Sequence, residues 1–269
     1  MFNSGTKSFI SVATARALQL ISYLNKEGVA LYNQGKYAEA VLLFKQAVTA
    51  SKTFLNCPLE EVESSTAVGL FTSLLVFPSQ AARTCNLRPN MDESLYTKAF
   101  EVVVTFARKG NSGHFVCKEA FLLFSRLSTV LIYNWALAHH ALGLVYREDS
   151  QSSRRRDCLS TARDLYCLAY SIPQQERNKE IIDAALLPLF VKAILNNLGG
   201  CYASMDDTEQ SVVCFELLLR SIIVSQQDLK VAGNLGDRHD RLSKDHSIAC
   251  FFNNTLFLVL KDPGFAPAA

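Results

Sequence analysis

The 269-residue chain carries 27 basic and 25 acidic side chains, giving a formal charge of +2, and 49% of its residues are hydrophobic. This composition suffices to bury a core and excludes a disordered chain, and the near balance of charge disfavours a dedicated DNA- or RNA-binding protein. With only 12 Gly and 7 Pro for turns, and few short alternating segments, a helix-rich fold is favoured over a β-sandwich or barrel.

The N-terminal residues lack the apolar core and cleavage pattern of a secretory signal. They carry basic residues and no acid before Glu27, a weak transit-peptide pattern, and we expect 1–18 to form a flexible tail. The eight cysteines contain no C-x-x-C pair, so zinc and redox motifs are not supported, and we expect reduced, mostly buried thiols. The cytoplasm is the expected compartment, with the nucleus or an organelle left open.

A pattern of small and aromatic residues in 19–55 predicts a pair of antiparallel helices. Its members follow one another at intervals of 12, 4 and 3, and are Gly28, Ala40, Phe44 and Ala47. The glycine allows the helices to approach closely, we expect the alanine to oppose it, and the aromatic ring fills the next gap. Gln34–Lys36 is the expected turn, with Gly35 at the position that tolerates a left-handed backbone.

The pattern occurs twice more. The second copy comprises Gly143, Ala162, Tyr166 and Ala169. Its first interval is 19, so we assign seven extra residues to a polar turn, Glu148–Asp157, which includes the solvated arginines Arg154–Arg156. The third copy comprises Gly199, Ser211, Phe215 and Leu218, again at intervals of 12, 4 and 3.

At these residues the chain resembles the tetratricopeptide repeat (TPR) family, whose unit is a 34-residue helix-turn-helix. The three copies extend over Ile21–Ser51, Leu137–Pro173 and Lys192–Val224. The resemblance implies an all-α fold, a helical-hairpin (TPR-like) α-solenoid with an irregular insert and a C-terminal capping helix. The expected organisation is a tail (1–18), repeat one (19–55), an irregular linking segment (56–120), repeats two and three (121–225), a polar loop (226–246) and a capping helix with its tail (247–269).

Three segments outside the copies carry separate expectations. Leu59–Phe77 is interpreted as a helix, whereas Val102–Phe106 fits either an extended segment or a helix end. Leu127–Tyr146 is long enough to span a bilayer, but its polar residues favour a buried helix. The acceptor pattern Asn253–Thr255 is interpreted as accidental, because it falls inside an apolar helix without a secretory signal.

No phosphate-binding, dinucleotide, nucleophile-elbow or zincin motif occurs in the chain, so we expect no catalysis, cofactor or metal. The resemblance instead implies a protein–protein interaction scaffold or adaptor that binds an extended peptide or partner helix in a concave groove. Asparagine amides can pair with a ligand backbone through one donor and one acceptor. The expected groove residues are Asn25, Val29, Asn33, His140, Leu144, Asn196, Asn197 and Gly200.

Other functions stay open or are disfavoured. The subtype that grips chaperone tails fits poorly, because Val29, Ala141 and Ala193 stand where it needs polar residues. The main alternative is an enzyme or small-ligand-binding protein whose site lies near segment 56–120, where His114 and Cys117 are the candidate pair. Helical-repeat RNA binding needs a basic groove that this chain lacks, and a membrane partner is likewise disfavoured.

Overall fold

The computed structural model describes residues 4–10, 12–55, 70–78, 96–108, 117–146, 152–175, 187–231 and 251. This part of the chain is mostly helical, as the sequence predicts. Its helices are α1 (Val12–Asn33), α2 (Tyr37–Leu55), α3 (Cys117–Val145), α4 (Ser152–Gln175), α5 (Leu187–Ser204) and α6 (Thr208–Val231). Its strands are β1 (Ser4–Ile10), β2 (Leu70–Pro78) and β3 (Phe100–Arg108). No helix in these ranges is long and apolar enough to cross a membrane.

The helices pack in chain order as three hairpins, α1–α2, α3–α4 and α5–α6. Contacts of α2 with α3 and of α4 with α5 join successive hairpins, and α3 also contacts both α1 and α5. The first helices of the three hairpins therefore share one face, and β3 packs against that face along α1. We call the surface formed by α1, α3 and α5 the first-helix face.

The turns of the first and third hairpins follow one geometry. Gly35 has φ +76° and Asp206 has φ +64°, so each of these two turns has a left-handed residue two positions after its first helix ends and seven positions after the repeat glycine. Lys36 N donates to Leu31 O at 3.0 Å, and Asp207 N donates to Tyr202 O at 3.0 Å, which satisfies the last helical carbonyls. The predicted left-handed glycine at Gly35 is confirmed.

Close helix approach at the repeat glycines is also present, but its partner differs from the expected alanine. A Cβ added at Gly28 would lie 2.7 Å from Phe44 Cε1, and one at Gly199 would lie 2.6 Å from Phe215 Cε1. The aromatic ring itself therefore covers the glycine, while Ala40 is buried one turn earlier. The expectation that Ala40 opposes Gly28 was wrong, because the ring needs the space that a missing side chain leaves.

The second hairpin needs no insertion in its repeat pattern. A Cβ at Gly143 would lie 3.0 Å from Leu159, which is 16 positions later, the same interval that separates Gly28 from Phe44 and Gly199 from Phe215. Each second helix begins nine positions after its glycine. The predicted seven-residue insertion in a polar turn was therefore wrong: α4 already begins at Ser152, and Arg154–Arg156 lie in its first turns.

The strands form one antiparallel sheet in the order β1-β2-β3. Leu70 pairs with Ile10 of β1 and with Arg108 of β3, and Pro78 pairs with Phe100 at the other end. Residues 70–77 are thus extended where the sequence predicted a helix, since their β-branched and aromatic residues fit a pleated strand. Residues 102–106, left open between strand and helix end, lie in β3.

Several of the segment boundaries predicted from the sequence differ from the observed ends of the helices and strands. The expected tail, 1–18, contains β1 and the start of α1, and the expected linking segment, 56–120, contains β2, β3 and the first turn of α3. Helix α6 extends to Val231, into the expected polar loop. Of the expected capping helix only the buried Phe251 is described. The acceptor pattern at 253–255 and His114 lie outside the described residues.

Candidate functional site

The first-helix face is filled by an extended stretch of the same chain, Tyr96–Val102, which we call the resident segment. It comprises Tyr96–Ala99 and the first residues of β3. Hydrogen bonds place Tyr96 at α5, Phe100 between α3 and α1, and Val102 at α1. The resident segment therefore crosses all three first helices, from the third hairpin to the first.

Asn197 on α5 binds the main chain of Tyr96 at both polar groups. Tyr96 N donates to Asn197 Oδ1 at 2.9 Å, and Asn197 Nδ2 donates to Tyr96 O at 3.0 Å. A neighbouring strand would offer the same donor and acceptor pair, so the side-chain amide substitutes for it. Asn196 Nδ2 donates to Asn197 Oδ1 at 3.2 Å, and Asn197 Nδ2 lies 3.2 Å from the Tyr133 hydroxyl, contacts that fix the orientation of the amide.

Asn134 on α3 repeats this arrangement four residues further along the resident segment. Phe100 N donates to Asn134 Oδ1 at 2.8 Å, and Asn134 Nδ2 donates to Phe100 O at 2.8 Å. Asn25 on α1 donates to the same carbonyl at 3.1 Å and accepts from Asn134 Nδ2 at 2.8 Å. Ser22 Oγ then donates to Val102 O at 2.8 Å. Main-chain groups of Phe100 and Val102 thus face the helices, because alternate residues of a strand direct these groups to the same edge, and those of Tyr96 before the strand do so as well.

Aromatic rings bind the side chains of the resident segment. Tyr96 stacks on Phe251 with ring centroids 5.2 Å apart, and Phe100 lies 5.2 Å from Tyr133 and 5.3 Å from Phe190. Tyr96 and Phe100 are each buried to 1% exposure or less. The face therefore provides two aromatic pockets, four residues apart along an extended chain.

The asparagine contacts solve a general problem of strand edges. Opposite Phe100 in the sheet stands Pro78, which has no main-chain donor. The other edge of β3 would expose unpaired amide and carbonyl groups if the helices offered only apolar side chains. Each buried main-chain group without a partner costs about 1–3 kcal/mol. The buried Asn25 and Asn134 remove that cost at Phe100 in β3, and the buried Asn197 does the same for Tyr96 just before the strand.

The predicted groove residues lie on α1, α3 and α5, and most are inside the core. The buried ones are Asn25, Val29, His140, Leu144, Asn196 and Asn197, whereas Asn33 and Gly200 are partly buried. Asn25 and Asn197 bind the resident segment, and Asn196 supports Asn197. Two of the predicted asparagines, Asn25 and Asn197, thus have the chain's own main chain as their partner.

The two histidines of α3 take other positions than the sequence suggested. His140, expected to face the groove, is buried with its ring 6.0 Å from that of Tyr166 on α4 and close to Gly200 on α5. His139, expected inside its hairpin, lies against Trp135 and near Lys45 of α2. The register that assigned these faces was wrong, because α3 contacts helices on both sides. Burial lowers the pKa of His140 and of His139 to about 4, with repulsion from Lys45 a further cause for His139.

Asn134 was missed as a site residue, although it makes the central contacts. Its signal in the sequence is an amide inside the apolar run 127–146, where a polar group must find a buried partner. Its partners Phe100 and Asn25 are 34 and 109 positions away in the chain. The need for a partner was therefore readable from the sequence, but the partner's identity was not.

Burial keeps one phenol on α4 and two thiols on α5 and α6 in their neutral forms. Burial raises the pKa of the Cys201 and Cys214 thiols to about 12, and burial raises the pKa of Tyr166 well above its usual range. Protonated thiols are poor nucleophiles and poor metal ligands. Within the described ranges no group of three or more His, Cys, Asp or Glu side chains is placed to hold a metal ion. What the arrangement does chemically is bind an extended main chain.

The chain matches no protein-family model, no curated protein and no solved structure in the three comparisons made.

Proposed function

We propose that this protein is a non-catalytic interaction scaffold of TPR-like helical hairpins, which binds an extended peptide of a partner protein on the first-helix face. The observation that carries the proposal is the pair of asparagine contacts to main chain at Tyr96 and Phe100. These contacts recognise an extended backbone through groups that every peptide has. A face that holds one such segment has the chemistry to hold another.

The three hairpins add a second line of support for a repeat scaffold. They share the interval from glycine to second helix, the glycine-covering side chain sixteen positions later, and a common face of first helices. In a helical-repeat array the first helices line the binding surface. A cytoplasmic location remains a prediction, which imaging of a tagged chain would test.

Peptide display on the full chain, followed by mapping of the bound site, tests the proposed function. We expect selected peptides to slow amide exchange in α1, α3 and α5. Gly200→Gln places a long side chain one turn after Asn197 on α5, at a partly buried position where the nearest atom to an added Cβ is His140 Cε1 at 3.8 Å. This variant is expected to weaken the selected peptides about tenfold or more, as loss of one good contact region does.

The matched control is Val213→Gln, at an exposed position on α6, which is expected to leave peptide binding unchanged. The proposed function fails if no peptide is selected, or if the selected peptides protect only the second helices α2, α4 and α6. It also fails if both glutamine variants weaken binding alike while circular dichroism shows both to be folded.

A further inference from the structure

The resident segment defines the peptide chemistry that the first-helix face accepts. Its buried side chains include Tyr96, Ala99 and Phe100, whereas Thr97 and Lys98 between them are partly exposed. All described hydrogen bonds from Asn197, Asn134, Asn25 and Ser22 to the segment go to its main chain. The first-helix face therefore distinguishes peptide sequences at the two aromatic positions and at the small residue that precedes the second aromatic residue.

The two ends of the resident segment are held differently. Phe100 and the residues after it pair with β2, from Pro78 back to Leu70. Tyr96–Ala99 lies before the strand and outside the sheet. The Tyr96 end is held by Asn197 and by ring contacts with Phe100 and Phe251. An incoming peptide can therefore replace the Tyr96 end at α5 without first breaking the ladder between β2 and β3.

On the basis of the proposed function, we propose that the partner is an extended peptide with aromatic residues at positions i and i+4 and a small residue at i+3, which binds by displacing the resident segment. The peptide runs from α5 to α1, with its first aromatic residue at Asn197 and its second at Asn134. The resident segment is then a built-in competitor, and it sets how tightly a partner must bind. Because a partner peptide binds only when the resident segment has left the face, its apparent affinity equals its intrinsic affinity multiplied by the fraction of time that the face is open.

The test uses a fluorescent peptide with the sequence of residues 94–104, SLYTKAFEVVV, and the full chain. We expect weak binding to the wild-type chain. Tyr96→Ala removes a buried ring from the competitor but leaves all three asparagines, so the labelled peptide should bind about 30-fold more tightly, the factor that loss of one buried aromatic side chain provides. A second labelled peptide with both aromatic residues replaced by alanine should not bind either protein.

The matched control variant is Tyr37→Ala. Tyr37 is also a buried tyrosine, but it packs on Tyr32 between α1 and α2, so its loss should leave the peptide's Kd as in wild type. The proposal is overturned if Tyr96→Ala binds no more tightly than Tyr37→Ala, or if the aromatic and alanine peptides bind alike.

Amide exchange on the unaltered chain tests displacement without any substitution. The amide of Tyr96 should exchange at least tenfold faster than the most protected amides of α3, because the segment opens locally. Exchange of Tyr96 only at the rate of global unfolding would overturn the proposal. If displayed peptides without paired aromatic residues protect α1, α3 and α5, this inference fails while the proposed function stands; if no peptide protects that face, both fail.

Discussion

Gly199 and Gly200 are adjacent residues of α5 with opposite surroundings. An added Cβ at Gly199 would lie 2.6 Å from the buried ring of Phe215, whereas at Gly200 the nearest atom is 3.8 Å away. We expect Gly199→Ala to lower the free energy of unfolding by about 1–3 kcal/mol, the usual cost of overpacking. Gly200→Ala should raise it by about 0.5–1 kcal/mol, because alanine is the better helix former.

Urea unfolding of the two alanine variants, followed by circular dichroism, measures this difference. The same change of one methyl group at neighbouring positions should move the midpoint in opposite directions. Equal effects at both positions would show that the ring of Phe215 moves away freely, and the close approach of α5 and α6 would then not depend on glycine.

The buried imidazole of His140 makes stability depend on pH. Its pKa is lowered to about 4 by burial, and among the described residues its Nδ1 has no hydrogen-bond partner. Below about pH 6.5 the imidazole is protonated in the unfolded chain, whereas in the folded chain it stays neutral down to about pH 4. Burial of the neutral imidazole therefore stabilises the folded state fully above pH 6.5, and this stability is lost as the pH falls toward 4. Because carboxylates also titrate in this range, a variant must isolate the histidine.

His140→Leu removes the titrating group and leaves a side chain of similar volume. Between pH 7 and pH 4 the unfolding free energy of the wild-type chain should fall by about 3 kcal/mol more than that of the variant, because burial lowers the pKa of His140 from 6.5 to about 4. Denaturant titrations at a series of pH values give both curves. Parallel curves would mean that His140 is hydrated or paired in the folded protein.

At the scale of an element, one arginine of the triplet Arg154–Arg156 on α4 contacts the neighbouring hairpin. Arg155 donates from Nη2 to Ser204 O at 3.0 Å and is partly buried, whereas Arg156 is exposed. Ser204 is the last residue of α5, where free carbonyls and the helix dipole favour a cation. The triplet therefore joins the second hairpin to the third through its central member.

Arg155→Ala is expected to lower the free energy of unfolding by about 1 kcal/mol, the value of one partly exposed charged hydrogen bond. Arg156→Ala, one residue away, should change it by less than about 0.5 kcal/mol. Thermal or urea unfolding of the two variants provides the comparison. Equal effects would mean that the Arg155 contact with Ser204 contributes nothing beyond surface charge.

The elements also show what could be predicted from the sequence. Helix pairs and the left-handed Gly35 follow from spacings within about twenty residues, so local sequence was sufficient for them. In the second repeat the pattern places the aromatic Tyr166 at the position that Leu159 fills at Gly143, so a search for an aromatic residue assigns the wrong position. Strand β2 was misread because its partners in β1 and β3 are distant in the chain, and an apolar run alone fits helix or strand.

The candidate site was predictable in its residue type but not in its partner. The sequence predicts that Asn25 and Asn197 bind the backbone of a ligand; within the chain, Asn197 pairs with both main-chain groups of Tyr96, and Asn25 donates one hydrogen bond to Phe100 O. That the backbone is residues 96–102 of the same chain could not be predicted, since no local pattern links Tyr96 to a helix 101 positions later. Polar residues in apolar helices indicate that a partner exists, and tertiary structure decides which.

At the scale of the whole molecule, the resident segment changes how the hairpins depend on one another. In a simple array each hairpin contacts only its neighbours, and stability is transmitted from one interface to the next. Here Tyr96 binds Asn197 of the third hairpin while Phe100 binds Asn25 of the first. The resident segment thus links the two ends, and among interfaces between successive helices that of α4 with α5 is the least extensive. We therefore expect cooperative unfolding of the third hairpin to depend on this link together with the direct contacts of Asn197 with Tyr133 and Tyr166.

This dependence predicts that Asn197→Ala separates the third hairpin from the other two. The substitution leaves the main-chain groups of Tyr96 without their side-chain partner, at about 1–3 kcal/mol for each buried group. The single tryptophan, Trp135, lies on α3 and reports on the second hairpin, whereas circular dichroism reports on all helices. In the wild-type chain the two signals should change at the same urea concentration, and in the variant helicity should begin to fall before tryptophan fluorescence changes.

The control is Lys192→Ala, a substitution at a partly buried cation on the same helix, which should keep the two transitions together. Coincident transitions in Asn197→Ala, at a lower midpoint, would show that the hairpins cooperate through helix packing alone. The resident segment would then make no contribution to their cooperative unfolding.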